Sequence, residues 1–343
     1  MEMRTIGATG VHVSEYCLGA MMFGKWGNPD HTDCIRIIHR ALDGGINFVD
    51  TADMYSAGES EEIVGKAIKD RRDSVVLATK FHGPMGEDPN MRGNSRRWIM
   101  QEVENSLRRL DTDWIDLYQV HRPEEATDID ETLGALSDLV HQGKIRSLGS
   151  STFPAEYVVE AQWTAERRGR ERFVCEQPPY SILVREIERS LLPTCARYGM
   201  GVIPWSPLAG GYLTGKYRKS GDMPADSRLA RQFGAQLSDP RQQAVHERRL
   251  DAVEELLKLA ADAGVSLTHL SMAWVLEHPA VSSAIIGPRT MDQLEDLLAG
   301  ADVRLEADVL DRVDKIVPPG TSISGQDPWQ PEGLRRRNRR RSH

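Results

Sequence analysis

Short apolar runs alternate with amphipathic stretches along most of this chain. Between the apolar runs, polar and apolar positions recur with helical spacing near residues 30–43, 60–70, 95–110, 130–142, 154–169, 186–198, 266–278 and 291–299. The apolar runs have the length of buried strands and cover residues 15–18, 46–50, 75–79, 114–120, 145–149, 173–176, 201–205 and 281–286. Strands that are each followed by a helix are typical of parallel crossover units, which predicts an α/β protein.

Two architectures agree with this alternation: a (β/α)8 TIM barrel, and two doubly wound sheets of four strands each. The strands are short and no linker rich in Pro, Gly or Ser interrupts the pattern, so the barrel is favoured. Residues 3–13 predict an N-terminal β-hairpin with its turn at Thr9-Gly10, and residues 242–263 and 304–317 predict extra helices. Residues 208–241 predict a long polar loop.

Composition narrows the class of protein. Hydrophobic residues make up 40% and charged residues 27% of the chain, as in ordinary globular proteins. No apolar run reaches the roughly 18 residues of a membrane span, and residues 1–7 lack a basic region followed by an apolar core, so a secretory signal is not expected. The four cysteines lack Cys-x-x-Cys spacing, which indicates buried, reduced thiols in a cytoplasmic protein.

Charge is unevenly distributed along the 343 residues. The net charge of −8 argues against a nucleic-acid-binding body, although residues 335–341 form a strongly basic run. Such a run at a chain end is usually a solvated, disordered terminus. We therefore expect one domain over residues 1–320 and a flexible basic C-terminal tail over residues 321–343.

Polar side chains follow three of the predicted strands. Asp50 and then Tyr55 follow the second strand, Lys80 follows the third, and His121 follows the fourth. A barrel brings these strand ends to one pocket. Because an unpaired buried charge is costly, Lys80 needs a partner, and Asp50 is available.

These residue types together suit proton transfer. An ammonium beside a phenol favours the phenolate, so we expect the pKa of Tyr55 to fall below its usual value of about 10. Tyr55 is then a proton donor near neutral pH, and His121 orients a carbonyl or alcohol oxygen. No His-Glu-x-x-His motif or Cys/His cluster occurs, so no metal is expected.

The chain resembles the aldo-keto reductase superfamily over roughly residues 3–317, and in particular its longer, bacterial and channel-subunit-like branch. The matching motifs occur in the family's order, at residues 19–24, 45–55, 78–80, 116–121, 143–152, 176–181, 205–208 and 285–289. The resemblance implies that Tyr55 is the general acid, assisted by Lys80, Asp50 and His121. It also implies a nicotinamide cofactor.

Cofactor-binding positions follow from the same resemblance. It implies that the cofactor is contacted at the end of the first strand by Gly19, Ala20 and Met21, and at the end of the second strand by Asp50. Ser151, Thr152 and Gln177 would hold the nicotinamide carboxamide, with Thr152 in place of the more usual asparagine. Trp205 would stack on the nicotinamide. The residues that would lie along the pyrophosphate are Ser206, Pro207, Leu208, Gly210 and Lys216. The adenosine end would meet Gly287, Arg289, Gln293 and Asp296.

The implied activity is reversible, NADPH-dependent reduction of aldehydes or ketones to alcohols, with a small-molecule carbonyl or alcohol substrate and no nucleic acid or membrane partner. Arg289 suits a 2′-phosphate, so NADPH is favoured over NADH. Specificity is expected from Met22, Trp26, Met54, Phe81, His82 and the 83–93 and 208–241 loops. Two alternatives stay open: an NADPH-binding regulatory subunit with slow turnover, and a Schiff-base lyase that uses Lys80. The oligomeric state stays open as well.

Overall fold

The computed structural model describes residues 1–219, 227, 230 and 239–323. From residue 324 onward the predicted basic tail lies outside the described residues, as do parts of the predicted 208–241 loop. At the start of the chain, β1 (Met3–Thr5) and β2 (His12–Ser14) pair in antiparallel, which confirms the predicted hairpin.

A parallel sheet of eight strands forms the centre of the fold. In the order of the sheet, the last strand stands next to the first and the others follow in chain order. The strands are β3 (Tyr16–Gly19), β4 (Phe48–Asp50), β5 (Val76–Phe81), β6 (Ile115–Val120), β7 (Ile145–Ser151), β8 (Phe173–Gln177), β9 (Gly201–Val202) and β10 (Ala284–Ile286). This order, with helices between the strands, confirms the predicted (β/α)8 fold.

The helices also lie where the periodicity predicts them. The described part of the chain contains ten: α1 (His31–Asp43), α2 (Glu59–Ile68), α3 (Arg96–Leu110), α4 (Ile129–His141), α5 (Ala155–Arg168), α6 (Leu191–Arg197), α7 (Pro240–Asp262), α8 (Leu267–Glu277), α9 (Met291–Ala299) and α10 (Ala307–Ile316). Both predicted extra helices are confirmed as α7 and α10. No single described helix is long and apolar enough to cross a membrane; α7 and α8, which meet at 92°, pass that test only as a bent pair.

Several predicted elements are shorter than expected, among them the strands predicted over 46–50 and 281–286, which begin only at Phe48 and Ala284. The helix predicted over 186–198 is divided into a 3-10 turn at Glu186–Glu188 and α6, because Ser190 has non-helical backbone angles (φ −138°, ψ −47°). The strand predicted over 201–205 ends as β9 at Val202. Pro204 has no N–H to donate to a neighbouring strand, which explains the early end.

The chain divides into two compact units. The first comprises Met1–Gly19, Ile37–Phe48 and the described part of Pro178–Gly325. In it, β10 pairs in parallel with β3, and the Val202 amide on β9 donates to the Ala280 carbonyl at 3.0 Å. These bonds join the last strands of the sheet to the first strand.

The second unit comprises Ala20–Arg36 and Val49–Gln177. Within it, β5, β6, β7 and β8 are adjacent and parallel. Their register places Lys80 beside Gln119, and Gln119 beside Gly149. Three successive strands therefore carry these residues at one level of the sheet, next to the strand ends where the sequence predicts chemistry.

Candidate active site

The four predicted catalytic residues lie in the second unit, at the carboxyl ends of β4, β5 and β6. The Thr51 amide donates to the Ala78 carbonyl at 2.9 Å, and the Asp53 amide donates to the Lys80 carbonyl at 3.0 Å. The His121 amide donates to the Phe81 carbonyl at 3.0 Å. Backbone pairing thus continues past the strands and fixes where the side chains begin.

Lys80 is fully buried, and its ammonium has three oxygen partners. Its Nζ lies 2.5 Å from Asp50 Oδ2, 2.8 Å from the Thr51 carbonyl and 3.3 Å from the Tyr55 hydroxyl. Burial alone lowers the pKa of Lys80, but Asp50 and Tyr55 outweigh it, so the pKa is raised. A lysine held charged in this way is a poor nucleophile, which argues against a Schiff-base role.

Tyr55 opens a 3-10 turn, Tyr55–Gly58, in which Ser56 and Ala57 adopt left-handed angles (φ 51° and 59°). Its ring centroid lies 5.7 Å from that of His121, edge-on, and 6.0 Å from that of Trp26. Burial raises the pKa of Tyr55, and the Lys80 charge offsets only part of that rise. The expected lowering of this pKa is therefore wrong: the phenol keeps its proton at neutral pH.

His121 is buried, with 7% of its surface exposed. Burial and the nearby Lys80 and Arg122 charges hold the pKa of His121 well below its usual range. Among the described residues, no hydrogen bond reaches its buried Nδ1. The imidazole is neutral at pH 7, so it can orient an oxygen but has no spare proton to supply as an acid.

Asp50 has a second set of donors on its other oxygen. Gln119 Nε2 donates to Asp50 Oδ1 at 3.0 Å, and Gln177 Nε2 donates to the same atom at 2.9 Å. Gln177 Nε2 also donates to Gln119 Oε1 at 3.0 Å. The carboxylate of the lysine ion pair is therefore bonded to Gln177, a predicted cofactor-binding side chain. Gln119 lies within the 116–121 motif, but the family resemblance assigns no role to its side chain.

The other two predicted carboxamide-binding residues flank Gln177. Ser151 Oγ donates to the Gln177 carbonyl at 2.9 Å, and Thr152, with a left-handed φ of 60°, accepts from Arg122 Nη1 on its hydroxyl at 2.9 Å. Ala20 and Met21 lie in the same unit; the Ala20 amide donates to the Asp50 carbonyl at 2.8 Å.

Glu176, on β8, is hydrogen-bonded to residues on both sides of Thr152. It is fully buried, accepts from the Ser150 hydroxyl, and accepts from the Phe153 amide at 3.1 Å. Burial raises the pKa of Glu176 to about 8, so the carboxyl is largely protonated at neutral pH. Bonds on both sides of Thr152 hold the left-handed turn in place.

The remaining predicted cofactor-binding residues lie in the first unit. After β9, the Trp205 amide donates to the Pro178 carbonyl at 2.9 Å, and the next stretch contains the left-handed residues Ser206, Ala209 and Gly210 (φ 57°, 48° and 68°). When a residue with right-handed helical backbone angles is followed by residues with left-handed angles, their successive backbone N–H groups point to one side. Such a group of N–H donors can bind an anion. Leu208 (φ −95°, ψ 16°) before Ala209 begins such a sequence.

The turn leaves room for a ligand beside Gly210. A Cβ placed on Gly210 would meet nothing within 4 Å, and a Cβ on Gly211 would meet Lys216 Cε at 2.9 Å. Lys216 is exposed, with Nζ 5.3 Å from the centre of the Tyr217 ring. Ser206, Pro207, Leu208, Gly210 and Lys216 thus belong to one turn and the segment that follows it.

The predicted adenosine-binding residues follow β10. The Arg289 amide donates to Gln293 Oε1 at 2.8 Å, which joins two of them at the start of α9. Gly287 is exposed, and a Cβ placed on it would meet open space. Asp296 is also exposed, but its Oδ1 lies 3.2 Å from His269 Nε2, so this carboxylate already has a partner. Gly19, in the same unit, packs against Ile285.

Not every predicted specificity residue faces open space. Phe81 is fully buried and packs on Tyr118 with ring centroids 4.9 Å apart, so its expected role in a substrate pocket is wrong. His82 Nδ1 is 2.9 Å from Asn94 Oδ1, and the Gly93 amide at the end of the 83–93 loop donates to the His82 carbonyl at 2.8 Å. Trp26, 42% exposed beside Tyr55, remains a candidate.

Comparison with known proteins identifies the family of the chain. The family model described as Aldo/keto reductase family matches residues 15–318. The chain is 40% identical over 342 residues to the uncharacterized oxidoreductase YrpG of Bacillus subtilis, covering 96% of this chain and 100% of that protein. It is 38% identical to the aldo-keto reductase YhdN of Bacillus subtilis, covering 87% and 88% of the two chains.

A third relative carries a different name. The probable voltage-gated potassium channel subunit beta of Oryza sativa subsp. japonica is 36% identical, covering 92% of this chain and 97% of that protein. The match to the family model and these relatives together show that the chain belongs to the aldo/keto reductase family.

Proposed function

We propose that the protein is an NADPH-dependent oxidoreductase that reduces aldehydes and ketones to alcohols, reversibly. The observation that carries the proposal is the contact of the buried, charged Lys80 with both Asp50, at 2.5 Å, and the Tyr55 hydroxyl, at 3.3 Å. This arrangement stabilises a phenolate only after a proton has left Tyr55. Relatives named as oxidoreductase and aldo-keto reductase support the same reaction class.

The proposed roles follow from the protonation states. When bound, the cofactor supplies the hydride. Tyr55, which keeps its proton at neutral pH, donates that proton to the carbonyl oxygen. Lys80 stabilises the phenolate that forms, and Asp50 holds Lys80 in place. His121 is neutral and positions the substrate oxygen through a hydrogen bond. In the direction of alcohol oxidation each proton movement is reversed.

The residues present suit a nicotinamide dinucleotide. We propose that Gln177, Ser151 and Thr152 hold the carboxamide, since Gln177 Oε1 has no hydrogen-bond partner among the described residues. The left-handed turn after Leu208 suits the pyrophosphate. We further propose that Trp205 stacks on the nicotinamide, that Gly287, Gln293 and Asp296 meet the adenosine end, and that Gly19, Ala20 and Met21 line the site.

A direct assay tests this function. The purified protein is expected to oxidise NADPH steadily, followed by its absorbance, when it is given a panel of aromatic and aliphatic aldehydes. Omission of the aldehyde is the control, because it measures background oxidation. Tight NADPH binding with no turnover on any member of the panel would instead support the alternative, a regulatory subunit, as the name of the Oryza sativa relative suggests.

Cofactor choice is a separate prediction. We propose that Arg289 meets the 2′-phosphate, so Arg289→Ala is expected to weaken NADPH binding by about 10–100-fold, as loss of a hydrogen bond to a charged group does. NADH affinity should change less than about threefold. Fluorescence titration with both cofactors measures this. The matched control is Arg312→Ala, which removes a partly exposed arginine of α10 that pairs with Asp262 of α7. Equal losses for both cofactors would exclude this role.

Two further proposals concern the whole chain. We propose that residues 1–320 act as one catalytic domain and that the protein works in the cytoplasm. The four cysteines, all within the described residues, are buried and form no disulfide, as expected in a reducing compartment.

A further inference from the structure

The side chain of Gln119 connects the proton-transfer group to a predicted cofactor-binding residue. We propose that Gln119 is a positioning residue, which orients the Gln177 amide so that its oxygen faces the nicotinamide carboxamide. The proposal rests on the proposed function, because it concerns how the same site holds its cofactor. It adds a residue and an atomic orientation that neither the sequence nor the family resemblance supplies.

The orientation follows from hydrogen-bond chemistry. Asp50, as the ion-pair partner of Lys80, presents only acceptors, so the atoms of Gln119 and Gln177 that approach its Oδ1 must both be amide nitrogens. The remaining atom of the Gln119 amide is its oxygen, which accepts from Gln177 Nε2 at 3.0 Å. The three side chains therefore admit one arrangement of both amides.

One consequence concerns Gln177. Both hydrogens of its Nε2 are committed, one to Asp50 Oδ1 at 2.9 Å and one to Gln119 Oε1. Its Oε1 accepts no hydrogen bond from the described residues and is available to a ligand. An acceptor in that place recognises a donor, and the –NH2 of a carboxamide is a donor. Without Gln119, one Gln177 hydrogen loses its acceptor, and of the two bonds that orient the amide only the one to Asp50 Oδ1 is left.

The neighbouring strand leaves room for Gln119. The register of β6 and β7 sets Gln119 beside Gly149, and a Cβ placed on Gly149 would lie 3.1 Å from Gln119 Cγ. Gln119 is fully buried. A glycine at this level therefore allows a long amide side chain to lie in the interior, between Asp50 and Gln177, where each of its bonds is protected from water.

The test compares two ligands that differ only in the group under discussion. NADP+ carries the carboxamide, whereas its 3-acetylpyridine analogue has a methyl ketone and no N–H. The wild-type protein is expected to bind NADP+ about 5–10-fold more tightly than the analogue, as one additional hydrogen bond implies. In Gln119→Met, which keeps the length of the side chain but cannot hydrogen-bond, the ratio should fall below about twofold. Calorimetric titration measures both affinities without turnover.

Two other variants keep the test decisive. Gln119→Leu repeats it should Gln119→Met fail to fold, as judged by thermal unfolding. Gln162→Leu is the matched control, because Gln162 is another buried glutamine of the same unit, bonded to the Phe173 carbonyl on β8 at 2.9 Å. It should retain the wild-type ratio.

The outcomes separate this proposal from the proposed function. A wild-type ratio retained in the Gln119 variants overturns the positioning role, and no discrimination by the wild type overturns the orientation of Gln177. Either result leaves NADP+ binding, and therefore the proposed function, in place. Failure of the wild-type protein to bind either ligand would remove the proposed function itself.

Discussion

Tyr55→Phe is expected to lower kcat for aldehyde reduction by about 10³-fold or more, while the Kd for NADPH stays within about twofold of the wild-type value. The substitution removes only the hydroxyl that lies 3.3 Å from Lys80 Nζ. General acid catalysis contributes about 10²–10⁴-fold, and the substitution leaves no hydroxyl on this ring to supply the proton. The neutral His121 has no acidic proton, because its pKa lies well below the usual range. Steady-state kinetics and a fluorescence titration measure the two quantities.

The matched control for this substitution is Tyr118→Phe. Tyr118 is fully buried on β6, and its hydroxyl has no hydrogen-bond partner among the described residues. Losing that hydroxyl should leave kcat within about twofold of wild type. Turnover retained by Tyr55→Phe would transfer the acid role to another group, and a kcat that increases toward acid pH would point to His121, because only its protonated form could supply the proton.

The alternation of the fold could be predicted because buried strands and amphipathic helices have different periods. The limits of that approach appear at β9 and α6. Residues 201–205 look like one apolar strand, but the regular strand ends at Val202, since Pro204 cannot donate, and Trp205 then makes a separate bond to the Pro178 carbonyl. Residues 186–198 have helical spacing throughout, although the backbone leaves the helical region at Ser190. In both cases a local backbone property outweighs the hydrophobic pattern.

The sequence was sufficient to predict which residues of the candidate site lie close together. A parallel sheet brings strand ends together, so Asp50, Lys80 and His121 could be placed in one region from their positions alone. The protonation states of the site residues could not be predicted from the sequence in the same way. The pKa of Tyr55 depends on a balance between burial, which raises it, and Lys80, which lowers it, and only coordinates show that burial is the larger effect.

Side-chain direction was the other quantity that pattern could not supply. Phe81 follows Lys80 directly, yet the period of two along a strand turns its ring into the interior against Tyr118. Gln119 lies in an apolar strand, and although it falls within the 116–121 motif, neither the motif nor the hydrophobic pattern assigns a role to its side chain. Its importance becomes visible only when its register with Lys80 and its bond to Asp50 are known. A polar residue inside an apolar strand, one position from its end, was the available signal.

Lys80→Met is expected to abolish carbonyl reduction and also to lower the free energy of unfolding by about 3–5 kcal/mol. The stability loss arises because Asp50, with 2% of its surface exposed, would remain as a buried charge without its cationic partner. The loss of activity has a different cause: no positive charge remains beside Tyr55 to stabilise the phenolate. Chemical denaturation measures the first effect and steady-state kinetics the second.

The double variant Lys80→Met/Asp50→Asn separates these two causes. Removing the charge at Asp50 while keeping an oxygen that can accept from Gln119 and Gln177 should recover most of the lost stability, because no unpaired buried charge remains. Activity should not return, since the double variant also lacks the cation 3.3 Å from the Tyr55 hydroxyl. Recovery of turnover together with stability would mean that Lys80 serves the fold alone. Recovery of stability without turnover would mean that Lys80 has a chemical role beyond its ion pair. Such a role is needed because burial raises the pKa of Tyr55, so the phenolate requires a nearby positive charge to form.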